Sequence, residues 1–216
     1  VAWNLAAQQP ALIERLVIVN SPHPGTFLRE LQHNPAQQRA SAYMNFLCRP
    51  DAQDLLAEND FARLWPFFTS MGAGADGHGW LTEAVKDQYR SAWRHGLTGP
   101  LNYYRASPLR PAQGETDAIH GLRFDDAQVR VERPTLVIWG EGDMALPPSL
   151  LDGLEHWVPR LELLRVPGAT HWIVHEQRGR GHHRLRAGLN VSGSDRPGPG
   201  SGCPPPAASA SAPRAR

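Results

Sequence analysis

PTLVIWGEGDMALPPSLLDGLEHWVPRLELLRVPGATHW, residues 134–172, decides the fold. Thr135-Leu136-Val137-Ile138-Trp139 is a continuous apolar run stopped by Gly140, the pattern of a strand buried on both faces. Asp143 follows just past its C-terminal end, where open α/β sheets place their functional groups. Pro147 and Pro148 suit the first turn of a helix running to Trp157. Leu161 to Val166 reads as a second short strand, with His171 on the loop behind it. An acid after one strand and a histidine after the next stand on the same rim of a sheet. There a carboxylate can orient an imidazole to act as general base. Neither residue is diagnostic alone, since an Asp in a Gly-rich turn is ordinary turn chemistry. Their order and spacing, with both strands in place, make the pair the candidate.

LVIWGEGDMALPP followed by VPGATHW resembles the C-terminal third of α/β-hydrolases, and in detail the epoxide hydrolase branch. In that family a W-G-x-x-D turn supplies the acid and a G-x-x-H-W turn the base. The resemblance implies Asp143 as the acid and His171 as the general base. His175, four residues on, does not match the family base and is expected to be structural or a surface residue.

Working outward, Val1 to Ala7 is a strong helix former that stops at Pro10. It has no cap and no preceding strand, so the chain is expected to open inside an element. Leu16 to Asn20 is the next buried strand. This block resembles the helix after the family's nucleophile turn, then its sixth strand and an N-x-P-H-P loop, for which Ser21, Pro22, His23 and Pro24 stand here. On that alignment the nucleophilic Asp, in a G-H-D-x-G turn, falls just before Val1. No G-x-[DSC]-x-G elbow occurs elsewhere. Ser21 lacks the flanking glycines of a nucleophile turn, and Cys48 lies in a helical stretch with nothing to lower its pKa.

From Thr26 to about Ser107 the periodicity is helical. Asn34-Pro35 opens a helix expected to run toward Leu47. Asp51 to Ala57 and Phe61 to Phe68 read as two short helices, Gly72 to Gly77 as a turn, Glu83 to Arg94 as an amphipathic helix, and Gly99-Pro100 as the start of a last one. A helical insertion between two strands is the pattern of a lid over an α/β active site. The division predicted is a partial α/β-hydrolase core over 1–24 and 108–177, with a helical cap over 25–107 inserted between strands. Helical tyrosines mainly pack, but LNYYRA and SAYMNFL resemble the family's two cap tyrosine motifs. That resemblance implies Tyr104 and Tyr43 as the hydroxyls that bind the epoxide oxygen. Tyr103 and Tyr89 are left to packing, and residues 108–133 read as a polar connector without chemistry.

The composition sets limits. A chain of 216 residues with 41% hydrophobic content and seven Trp can fill one medium domain. No run of 18 apolar residues is present, so no membrane span is expected. No signal peptide is recognisable, and two widely separated cysteines, Cys48 and Cys203, indicate neither a disulfide framework nor a metal site. A cytoplasmic setting is the default. The net charge of +1 hides a tail from Arg178 onward carrying +6 against a body of −5. Its arginines are scattered and no aromatic lies among them to stack on bases, which argues against nucleic acid. Rich in Gly and Pro and without Phe, Trp, Tyr, Ile or Met, residues 178–216 are expected to be disordered.

The resemblance implies an epoxide hydrolase-like enzyme that needs no cofactor and no metal. Its substrate is a small apolar molecule, an epoxide, and Trp65, Phe67 and Phe68 on the lid agree with an apolar substrate. The mechanism implied runs through an Asp alkyl-enzyme ester hydrolysed by His-activated water, with the nucleophile missing from these residues. The alternatives are a haloalkane or haloacid dehalogenase of the same fold, which the two tyrosines argue against, and a non-catalytic truncated remnant.

Overall fold

The computed structural model describes residues 1–74 and 79–176, so the predicted tail lies outside the described residues. Three parallel strands, β1 (Leu16–Val19), β2 (Thr135–Gly140) and β3 (Leu161–Val166), form a sheet in the order β1-β2-β3. Leu16 pairs with Thr135, and Thr135 with Leu161, so the strands start level. The three strands are those the apolar runs predict.

Every residue of β2 is buried, because it is covered on both sides. On one face Val137 and Trp139 pack with Leu16, Ile18, Leu150, Leu154 and Val158, and with Trp3 and Ala6 of α1 (Ala2–Gln8). On the other, Leu136 and Ile138 meet Ala169 and Ile173, while Val17, Val19, Leu164 and Val166 are only partly covered. Side-chain alternation with period two assigns these two sets.

Two predicted helices are broken. Pro148 to Trp157 is two 3₁₀ turns, Pro148–Leu151 and Leu154–His156, separated by Gly153 at φ +71°. The Arg29 guanidinium donates to the Ser149 and Asp152 carbonyls, occupying acceptors that a continuing helix would have used. The stretch from Pro35 is likewise split at Ser41–Ala42 into α3 (Pro35–Ala40) and α4 (Tyr43–Leu47). Asn34 caps α3 as expected, its side chain accepting from the Ala36 amide.

Between β1 and the connector the chain also forms α2 (Pro24–His33), α5 (Ala52–Phe61), α6 (Trp65–Ser70), α7 (Glu83–Trp93) and α8 (Thr98–Arg105). Helix α5 leaves helical geometry at Glu58 to Asp60, where Asn59 and Asp60 have positive φ. Leu47, Ala52, Leu56, Phe61, Leu97 and Leu101 form a separate apolar cluster joining α4, α5 and α8. Helix α2 packs elsewhere: Leu28 and Leu31 meet Ile119 of the connector, and Arg29 reaches the turns before β3.

The connector is more than polar. It carries a 3₁₀ turn at Ala118–His120 and α9 (Asp126–Val129), and it buries Ile119, Val129 and Val131. The final element is α10 (Ile173–Glu176). Among the described residues no helix is long and apolar enough to cross a membrane.

Candidate active site

The turn after β2 and the loop after β3 are joined backbone to backbone. The Glu141 amide donates to the Val166 carbonyl, and the Gly142 amide to the Ala169 carbonyl at 2.9 Å. A Cβ on Gly140 would lie 2.5 Å from the Ala169 oxygen and 2.7 Å from that of Thr170. Only glycine lets the two segments pass this closely. The strand-ending glycine therefore determines how near Asp143 and His171 can come.

Their side chains meet. His171 Nδ1 lies 2.7 Å from Asp143 Oδ2, and the Asp143 side chain is fully buried. The other carboxylate oxygen accepts from the Ala145 amide at 2.8 Å and the Leu146 amide at 3.0 Å. With an acceptor-only carboxylate as partner, Nδ1 carries the proton and Nε2 is left as the basic atom. Asp143 is thus held by its own turn and fixes the imidazole tautomer, the arrangement a general base requires.

Both predicted tyrosines stand near this pair. Tyr43 opens α4 and Tyr104 lies on α8, their rings 6.1 Å apart and nearly perpendicular. Burial pushes the Tyr43 hydroxyl above the ordinary tyrosine value, and the interaction with Tyr104 and the charge of Asp143 push it further. Burial also raises Tyr104, opposed by its interaction with the Tyr43 hydroxyl. Both therefore stay protonated at neutral pH and are available as donors. A cavity of about 840 Å³ is lined by His171, Tyr43, Tyr104, Asn20, Ser21 and Trp3 among others. A second space of about 340 Å³, walled by Phe67, Met71 and Met144, shares Tyr43 and Ala145 with it.

Of the residues left to structure, Tyr103 and Ser21 border the same cavity. Tyr103 is largely exposed, Tyr89 packs on Phe68 and Trp93, and His175 stacks on Trp80 at 4.1 Å. Cys48 ends α4, half-buried. Ser21 is exposed on the cavity wall, its carbonyl accepting from the Trp3 indole.

A family model described as the alpha/beta hydrolase fold matches residues 1–177. The chain belongs to that family. Among its relatives it is 34% identical over 182 residues to mouse epoxide hydrolase 3, covering 80% of this chain and 44% of the relative. To human epoxide hydrolase 4 it is 28% identical over 186 residues, covering 82% and 47%. Among solved structures, a point mutant of an epoxide hydrolase from Bacillus megaterium superposes with a TM-score of 0.74 at 29% identity, covering 87% of this chain and 64% of that one. The chain thus spans about half the length of these curated relatives and under two thirds of the solved one. As an epoxide hydrolase-like member of the α/β-hydrolase family, it shows the predicted parallel sheet with flanking helices.

Several residues that build the site were given no role by the sequence. Asn20, at the end of β1, bonds both the acid turn and the base loop. Trp172, next to His171, stacks on Phe68 at 4.9 Å and donates its indole N–H to the Phe68 carbonyl. Gln37, fully buried on α3, donates to the Ala145 carbonyl beside the acid. Asn20 stands in the N-x-P-H-P segment as a strand end, and Trp172 in the G-x-x-H-W motif, but neither position tells its role. Gln37 carries no local signal, because its bond to Ala145 reaches far along the chain.

Proposed function

We propose that these residues form the acid–base and oxygen-binding part of an epoxide hydrolase site acting on small apolar epoxides. The observation that carries this is the Asp143–His171 pair opening onto the same cavity as the Tyr43–Tyr104 pair. Within residues 25–107, the helices from α4 to α8 act as the cap over a core of residues 1–24 and 108–177, onto which α2 packs. The nucleophilic carboxylate is contributed by residues outside these 216. It attacks an epoxide carbon, the carbon–oxygen bond breaks, and a tyrosine hydroxyl donates its proton to the leaving alkoxide. His171 Nε2 then takes a proton from water, the hydroxide adds to the ester carbonyl, and the diol leaves as the carboxylate is regenerated, the proton on His171 returning to the tyrosinate. The two spaces share Tyr43 and Ala145, so each can take one substituent of the epoxide.

The test joins the upstream half of the Bacillus megaterium relative in frame ahead of Val1. In that chimera His171→Gln is expected to form the ester and fail to release it, so mass spectrometry after incubation with a styrene-type epoxide finds a covalent adduct. Halide release from haloalkanes or haloacids with no adduct from the epoxide would replace this reading with a dehalogenase. A chimera that is folded but inert toward both would leave the chain as a non-catalytic member.

A further inference from the structure

We infer that Asn20 is a positioning residue that holds the acid turn and the base loop in the one arrangement where Asp143 and His171 meet. The inference rests on the geometry of that pair and not on the identity of the substrate.

In a parallel ladder a residue's N–H bonds one residue of its neighbour and its C=O accepts from the residue two further on. The Asn20 amide donates to the Ile138 carbonyl at 3.1 Å, so its own carbonyl would be expected to accept from the Gly140 amide. It is the side chain that does so, with Oδ1 accepting from Gly140 N at 2.8 Å. The backbone meanwhile turns into the left-handed region at φ +40° and leaves the sheet toward Ser21. The side-chain amide thus replaces the peptide group that the departing backbone withdraws. Asparagine is among the few non-glycine residues that tolerate this conformation.

The other end of the amide reaches the base loop. Asn20 Nδ2 donates to the Thr170 carbonyl at 2.9 Å, one residue before His171. Gly140 N is only a donor and the Thr170 carbonyl only an acceptor, so the orientation of the amide is fixed by its partners. Asn20 is buried, where losing either bond would strand a polar group. These bonds fall where Gly140 passes the Ala169 and Thr170 carbonyls with no room for a side chain. A small slip there would move His171 relative to Asp143. Among the standard side chains, only a short primary amide offers an acceptor, a donor and this backbone.

Two variants of the 216-residue chain separate side chain from backbone. Asn20→Gly keeps the left-handed turn and removes both bonds. Asn20→Asp keeps the turn and the acceptor for Gly140 but sets a carboxylate oxygen against the Thr170 carbonyl. The readouts are the hydrogen-bonded Nδ1 proton of His171 by NMR and amide exchange at Gly140, beside the thermal melt as a check of global folding. In Asn20→Gly, the His171 proton is expected to broaden beyond detection and Gly140 to exchange at least tenfold faster, while the melt stays cooperative. In Asn20→Asp the His171 proton is expected to be lost with Gly140 still protected, a split that a residue serving only the turn would not produce. A His171 proton unchanged in position and exchange in either folded variant overturns the inference. Should both variants fail to fold, the unaltered chain decides: slow exchange of one Asn20 side-chain proton, with a scalar coupling to the Thr170 carbonyl carbon, supports the bond, and fast exchange of both protons overturns it.

Discussion

His23 should make the fold sensitive to acid. It is 1% exposed, stacked on Trp157 at 5.3 Å with Trp3 edge-on at 5.0 Å. Its Nε2 donates to the Val129 carbonyl at 2.8 Å, and its Nδ1 accepts from the Gly25 amide at 3.1 Å, capping α2. Burial lowers its pKa from 6.5 to about 4, opposed in part by the Val129 carbonyl. The native state therefore holds the neutral ring, whereas the unfolded chain binds a proton below about 6.5. Stability is complete above that pH and is lost as pH falls through the window down to about 4, where the native ring also protonates. At about 1.4 kcal/mol per pH unit, the full window amounts to roughly 3 kcal/mol. Carboxylates such as Glu30, which side-chain hydrogen bonds hold below the usual range against the opposing effect of burial, also lose stability in acid, so a reference is needed. His23→Gln supplies it, because glutamine can donate and accept but does not titrate. Urea denaturation from pH 7.5 to 4 should show the unaltered chain losing roughly 3 kcal/mol more than this variant across the window. Parallel losses would refute the argument and show that the ring is free to protonate in the folded state.

Gly72→Ala should destabilise the chain by more than ~1 kcal/mol in urea melts. Gly72 has φ +100° and its Cβ would lie 2.6 Å from the Thr170 side chain, so strain and overlap act together; an unchanged midpoint would contradict this. In the restored chimera, Tyr104→Phe should slow ester formation by an amount typical of an oxyanion donor, ~2.7–4 kcal/mol. Tyr43→Phe should slow it less if the two hydroxyls share the oxygen, and rapid-quench measurement of the alkylation step would show both.

The sheet was legible because β2 and β3 are runs whose pattern permits few alternatives. A strand with apolar residues on both faces must be covered on both faces, and Trp3, Leu150 and Leu154 on one side with Ala169 and Ile173 on the other do so. The apolar spacing runs on through Gly153 and Ser41, but the helices are broken at both places. Around Gly153, Arg29, more than a hundred residues upstream, takes the Ser149 and Asp152 carbonyls. A long-range hydrogen bond of this kind leaves no periodic trace.

The same distinction divides the site. Asp143 and His171 could be read because each follows a recognisable strand by a short turn, and the level start of β2 and β3 brings those turns together. Tyr43 and Tyr104 are 61 residues apart on separate helices, and only the family resemblance points to them; their packing against Phe67 and each other arises from the apolar cluster of α4, α5 and α8. Asn20 shows what pattern reading misses. At a strand end an asparagine reads as a turn former, and its bonds to residues 120 and 150 positions away arise only once three strands lie side by side. The sheet brings the Asp143 and His171 turns onto one rim, but a rim alone leaves them free to slide by a fraction of a hydrogen-bond length. Gly140 sets how close they can approach and the Asn20 amide sets their register, so precision in the Asp143–His171 pair depends on groups that do no chemistry themselves.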